Sequence, residues 1–250
     1  MNAEERYLFD LQGYLVVPNA LSAGTLKTLN AALDEKVAER VDPTSGTHRF
    51  MDLLTWGQPY LDLIDQDSIM PYVEALVGNN FRLDHVYLDI IRRGLSPIGA
   101  TLHGGAVPFD PTTYFRHHNG EFQNGLTVVA YNLANVNPGE GGFAAVPGSH
   151  KSNFSFPAGW KDLVDPQPCV EQVTGPAGTA VIFTEALTHG SLPWQADHER
   201  RTIFYKYSPH AVAWIAEYPE AADHEGLTDS QRAILEAPNA RASNRPRAIK

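Results

Sequence analysis

Apolar and polar positions divide the chain near residue 80. Before that point the apolar residues recur at helical spacing. Leu26, Leu29, Leu33 and Val37 stand three and four apart behind Ser22, which suits an N-cap, and predict a helix over Ser22–Arg40. Glu4–Gly13 and Asp67–Val77 read the same way, the second ended by Gly78, Asn79 and Asn80. Between them Tyr14–Val17 predicts a short strand running into a Pro18-Asn19 turn, and Asp42–His48 a loop. From Phe81 the period falls to two. Arg82–Arg92 alternates, with Leu83, His85, Tyr87, Asp89 and Ile91 assigned to one face. Leu126–Ala134, Phe143–Val146, Val181–Phe183 and Thr202–Tyr207 are further strands, rich in β-branched and aromatic residues.

Gly-, Pro- and Asn-rich turns separate these strands, among them Asn137–Gly142 and Pro147–Lys151. No helical pattern alternates with the strands after residue 81, which disfavours a parallel α/β winding. The expectation is a mainly β fold with flanking helices, two antiparallel sheets in a jelly-roll or sandwich arrangement. One domain spans 1–250, with a helical support at 1–80, a strand core at 81–210 and a tail at 211–250. The tail holds a predicted helix, Asp229–Leu235, behind a Thr228 cap.

Composition narrows the function. A net charge of −10 argues against nucleic acid, which needs clustered Lys and Arg. The basic residues of Arg241–Lys250 read as a polar tail. No apolar run is long enough to span a bilayer and no signal segment opens the chain, so the expected location is cytoplasmic. The single cysteine, Cys169, excludes an intrachain disulfide and a cysteine-based zinc site. Ten histidines leave imidazole and carboxylate as the metal ligands on offer.

Two of those histidines, His103 and His189, sit at strand edges far apart in sequence, and a jelly roll brings such edges to one open mouth. Two histidines and a carboxylate on one face of an ion suit non-haem Fe(II) and leave positions for oxidant and substrate. Arg200 opens the strand after His189, and its guanidinium fork pairs with a carboxylate such as a chelating keto acid carries.

His103-Gly104-Gly105, then Pro147-Gly148-Ser149-His150-Lys151, then His189-Gly190-Ser191 with Arg200, resemble in order and spacing the phytanoyl-CoA dioxygenase family. The resemblance covers roughly residues 8–210. It implies a double-stranded β-helix (cupin-like jelly roll) and an Fe(II)- and 2-oxoglutarate-dependent oxygenase acting with O2 on a small-molecule substrate. It assigns His103 and His189 as iron ligands, Arg200 and Ser191 to the far carboxylate of 2-oxoglutarate, and Tyr114 to the same pocket.

One departure stands out. The family's His-x-Asp carboxylate falls at Gly105, which has no side chain. Three readings follow: a displaced carboxylate, from Glu185 or Asp110; a vacant position, as in related halogenases that fill it with halide; or a metal site that has lost its usual activity, beside which a cupin-like binding or structural protein without turnover is the reading from another class. His117 and His118 read as solvated loop residues, alternatively as ligands or substrate contacts, and His150 as structural. Tyr87, Asp89 and Ile91 are equally substrate contacts or sheet packing, and Trp160 and Trp194 lid or core.

Overall fold

The computed structural model describes residues 1–94 and 98–239. The expected basic tail Arg241–Lys250 lies outside the described residues. Six strands form the larger sheet: β1 (Tyr14–Val17), β2 (Thr47–Phe50), β3 (Phe81–Ile91), β6 (Thr127–Asn132), β9 (Ala180–Thr184) and β11 (Arg200–Pro209). Their order is β1-β9-β6-β11-β3-β2, antiparallel throughout. A smaller antiparallel sheet, β10-β7-β8, comprises β7 (Gly142–Ala145), β8 (Glu171–Gln172) and β10 (His189–Leu192). The fold is a mainly β jelly roll with flanking helices.

The strands of the larger sheet are apolar on both faces because both faces are covered. One face carries Val129, Tyr131, Ala180, Ile182, Ile203, Tyr205 and Tyr207, packed with Phe9 of helix α1 (Ala3–Gln12), Leu29 and Leu33 of α2 (Ala23–Arg40), and residues 53–77. The other carries Val128, Ala130, Val181, Phe183 and Phe204, which meet Phe143 and Ala145 of the smaller sheet. The helices thus cover the back of the large sheet, and the space between the sheets is left for chemistry. Ser22 caps α2 by accepting from the Thr25 amide, and Thr228 and Gln231 form a capping box on a C-terminal helix, Asp229–Ile234.

Two local expectations need correction. Thr47 and His48, assigned to a loop, belong to β2, which adds to the edge of the sheet beside Ile90 and Ile91. That pairing supplies the order; residues Thr47–Phe50 alone show no clear alternation. Leu83 does not share a face with His85, Tyr87 and Asp89. It packs with Val86, Leu88 and Ile90 against the helices. The cause is a β-bulge: Lys206 pairs with His85 but Tyr207 pairs with Leu83, so Asp84 is an extra residue that reverses the alternation.

Ile182 is fully buried between Leu15 and Val129. Ile182→Ala is expected to cost about 2–5 kcal/mol of stability. Urea unfolding would show this as a lower midpoint at an unchanged slope.

Candidate active site

The site forms where the two sheets open. His103 and His189 exchange both backbone hydrogen bonds, each N–H donating to the other's carbonyl at 2.9 Å. This bridge attaches segment 101–103 to the edge of β10 and puts the two imidazoles side by side, ring centroids 4.3 Å apart. Gly104 makes the approach possible. A Cβ there would lie 2.8 Å from the Glu185 carbonyl and closer still to that of Leu187.

Both rings are oriented by their own neighbours. His189 Nδ1 lies 2.7 Å from the Leu187 carbonyl and His103 Nδ1 3.0 Å from that of Thr101. A carbonyl only accepts, so each Nδ1 carries the proton and each Nε2 keeps its lone pair. Burial, joined by the adjacent His103, pushes His189 down to about 4, against the opposing pull of Glu185. Its imidazole is therefore neutral near pH 7. Two imidazoles oriented in this way are what an intermediate transition-metal ion takes up.

Glu185, just past the end of β9, supplies a carboxylate. Its Oε2 is 3.9 Å from His189 Nε2 and its Oε1 is 2.5 Å from Lys206 Nζ. Burial works against ionisation, but the Lys206 ammonium and then His189 hold the Glu185 carboxyl below its usual range. Among the described residues no three such groups already stand at ligand spacing. Glu185 Oε2 instead faces His189 Nε2, the ring nitrogen turned away from the Leu187 carbonyl, at 3.9 Å. The donor set of two nitrogens and one oxygen fits iron.

Asp110 is not brought to the site. It is exposed, and its carboxylate accepts from the amide and hydroxyl of Thr112. Tyr114 likewise stands outside the cavity wall, its ring 6.1 Å from that of Phe109. His117 and His118 are exposed on β4 (His117–His118), which pairs with β5 (Glu121–Phe122) in a small hairpin. His150 is buried against Phe115 and bonds the Asp10 carbonyl, a packing role. Trp194 is core, while Trp160 is partly exposed. Ile91 packs with Val136 and Trp194 rather than facing the cavity.

The cavity itself measures about 510 Å³ and its wall includes His85, Tyr87, Asp89, His103, Glu185, His189, Ser191, Arg200 and Lys206. Arg200 is 4% exposed, and its Nη1 donates to Ser191 Oγ at 2.8 Å. Its Nε has no hydrogen-bond partner, and among the described residues no carboxylate forms an ion pair with it. Asp89 is already held by both nitrogens of the Arg49 fork, at 2.7 Å each. Gly142, at φ +87°, leaves the room Arg200 occupies, since a Cβ there would come within 3.4 Å of Nε.

Sequence reasoning missed Lys206 and the network behind His85. Lys206 is a single charged residue within the apolar run of β11, and only the structure shows it buried beside Glu185. Asp84, fully buried, accepts from His85 Nδ1 at 2.7 Å and from the amides of Trp214 and Ile215. It thereby ties the chain after β11 to the cavity wall, where Trp214 stacks on His85 at 5.1 Å.

Residues 96–202 match the family model for phytanoyl-CoA dioxygenase (PhyH). No curated protein sequence matches the chain. Among solved structures the chain is similar to HygX from Streptomyces hygroscopicus with nickel and 2-oxoglutarate bound, at 25% identity and TM-score 0.78, covering 91% of this chain and 95% of that one. HygX is also solved with hygromycin B bound. AviO1 from Streptomyces viridochromogenes shares the fold at 18% identity and TM-score 0.63, over 88% of this chain and 98% of its own. SnoN, a non-haem α-ketoglutarate-dependent epimerase from nogalamycin biosynthesis, shares it at 18% identity and TM-score 0.59, over 83% and 82%.

Returning a carboxylate to position 105 is not expected to strengthen metal binding. Gly105 has φ +115°, and a Cβ would stand 3.1 Å from Thr188 Oγ1, so strain of about 1–3 kcal/mol opposes any side chain. Calorimetric titration of Gly105→Asp with nickel should give equal or weaker affinity and a lower melting temperature. Tighter binding would return the third ligand to residue 105.

Proposed function

Residues 96–202 belong to the phytanoyl-CoA dioxygenase (PhyH) family, and from that premise we propose that this chain hydroxylates a small-molecule metabolite, with succinate and CO2 as co-products. The protein is a non-haem iron- and 2-oxoglutarate-dependent enzyme. In this reading His103, His189 and Glu185 hold the iron, and Arg200 with Ser191 holds the far carboxylate of 2-oxoglutarate.

The observation that carries the reading is Arg200. A guanidinium buried to 4% exposure, with one hydroxyl partner and an unpartnered Nε, is costly unless a carboxylate arrives. Burial lowers its pKa while Asp89 opposes that, yet arginine stays protonated at any working pH. The cavity thus carries a fixed positive charge aimed at an anion, within the same wall as the imidazole pair.

When bound, iron and 2-oxoglutarate supply the oxidising chemistry: one atom of O2 goes to succinate as CO2 leaves, the other to substrate C–H. The protein's share is placement. Arg200 and Ser191 fix the end of the keto acid remote from the reaction, and the two imidazoles present their Nε2 atoms. Phe143, Phe183 and Phe204 line the pocket with apolar surface that limits water. A second cavity of about 510 Å³ shares Met51, His85 and Ile215 with this wall. That room suits a substrate larger than the cosubstrate. The proximity of Glu185 to His189 supports a carboxylate ligand over halide at a vacant position, the alternative that Gly105 motivates.

Anaerobic addition of Fe(II) and 2-oxoglutarate should raise a visible charge-transfer band. Its absence from folded, iron-loaded protein would overturn the assignment. Arg200→Ala should weaken 2-oxoglutarate binding in the same titration by about 2 kcal/mol or more, roughly thirtyfold. Unchanged affinity would remove Arg200 from the cosubstrate site.

A further inference from the structure

Lys206 is buried in the cavity wall, and the reading above gives it no task. It lies on the inner face of β11, 8% exposed. Register places it opposite Val128 of β6, which in turn faces Phe183 of β9. The side chain therefore reaches across a whole intervening strand to meet Glu185, two residues past Phe183. Its Nζ donates to Glu185 Oε1 at 2.5 Å, and it stands 5.2 Å from the centre of the Tyr87 ring.

The two oxygens of Glu185 are thus divided. One belongs to Lys206, and the other faces His189 Nε2 at 3.9 Å. We propose that Lys206 is a positioning residue that confines Glu185 to metal binding through Oε2 alone. This rests on the reading that Glu185 is the third protein ligand.

The confinement matters because a carboxylate can bind a cation through one oxygen or both. Two histidines and a carboxylate serve this chemistry by leaving positions open. Of six positions on an octahedral ion, three go to protein and two to a chelating keto acid, so one is left for O2. A chelating Glu185 would fill it. Glu185 also projects from a turn through a longer side chain than aspartate and has more rotamer freedom to lose. A charge-assisted hydrogen bond, about twice as strong as a neutral one, is a suitable tether. An ammonium that merely neutralised Glu185 would leave the number of open positions unaffected by its removal.

The test uses nitric oxide as a probe of the open position, read by the EPR signal of its iron complex. Full-length protein is loaded anaerobically with Fe(II) and 2-oxoglutarate, then titrated with nitric oxide. Lys206→Met should keep the charge-transfer band but bind nitric oxide roughly tenfold more weakly or worse, the worth of one charge-assisted hydrogen bond. Lys206→Arg, which restores a charged donor, should recover most of that affinity. Wild-type nitric oxide affinity in Lys206→Met overturns the proposal. So does loss of the band in folded Lys206→Met, which would make Lys206 necessary for metal binding itself. Should circular dichroism show Lys206→Met unfolded, Lys206→Gln is judged by the same criteria. Failure of the wild-type protein to form the band would instead count against the iron site as a whole.

Discussion

The pair of backbone hydrogen bonds between His103 and His189 is the constraint on which the site depends. Each imidazole arrives from a different part of the chain, and neither strand edge has a functional meaning alone. The bridge fixes both backbones, and the carbonyls of Thr101 and Leu187 then fix both rings. Because those carbonyls are main chain, the ring orientations follow from the strand geometry itself. In the proposed site the two rings are thus oriented ahead of metal binding, which lessens the ordering that binding must bring about.

The large sheet gives this bridge a rigid back. Its outer face is packed by helices and its inner face by the smaller sheet, so β6, β9 and β11 are held from both sides. That double burial explains how β11 can present Arg200 and Lys206 inward without losing order. The strand is anchored by Ile203, Tyr205 and Tyr207, whose side chains point the other way into the larger core. Tyr205 and Tyr207 add hydrogen bonds to carbonyls of Tyr60 and Ile64, tying the inward charges to the helical layer.

What the sequence disclosed was decided by local signals. Ser22 and the leucines of α2, the apolar run of β9, and His103, His189 and Arg200 as candidates could be read from spacing and residue type, while Ser191 came from the family resemblance. What it concealed depended on partners distant in the chain. Strand β2 exists because β3 offers an edge, and Leu83 changes face because Asp84 is an extra residue against Lys206 and Tyr207. Tyr114 and Asp110 fell near the right motifs, yet the loop carrying them is held to Gly125 and Leu126 by backbone bonds and by Asp110's own turn, away from the cavity. Glu185 was legible as a candidate, but Lys206 was not, since its meaning appears only when β9, β6 and β11 are laid side by side.

The glycines and the charged pair follow from one another. Gly104 must be bare because its backbone lies against the carbonyls of Glu185 and Leu187, and Gly105 turns at φ +115° beside Thr188. That tight passage is what brings His103 to His189, and it leaves no place for a carboxylate on the same strand. In the proposed site the charge therefore comes from across the mouth, on Glu185. A carboxylate so buried needs a counter-charge in the absence of metal, and a strand position facing it, Lys206, provides one. In that proposal a ligand placed across the mouth goes with two linked features, a turn that excludes side chains and a buried cation opposite it, and both are present among the described residues.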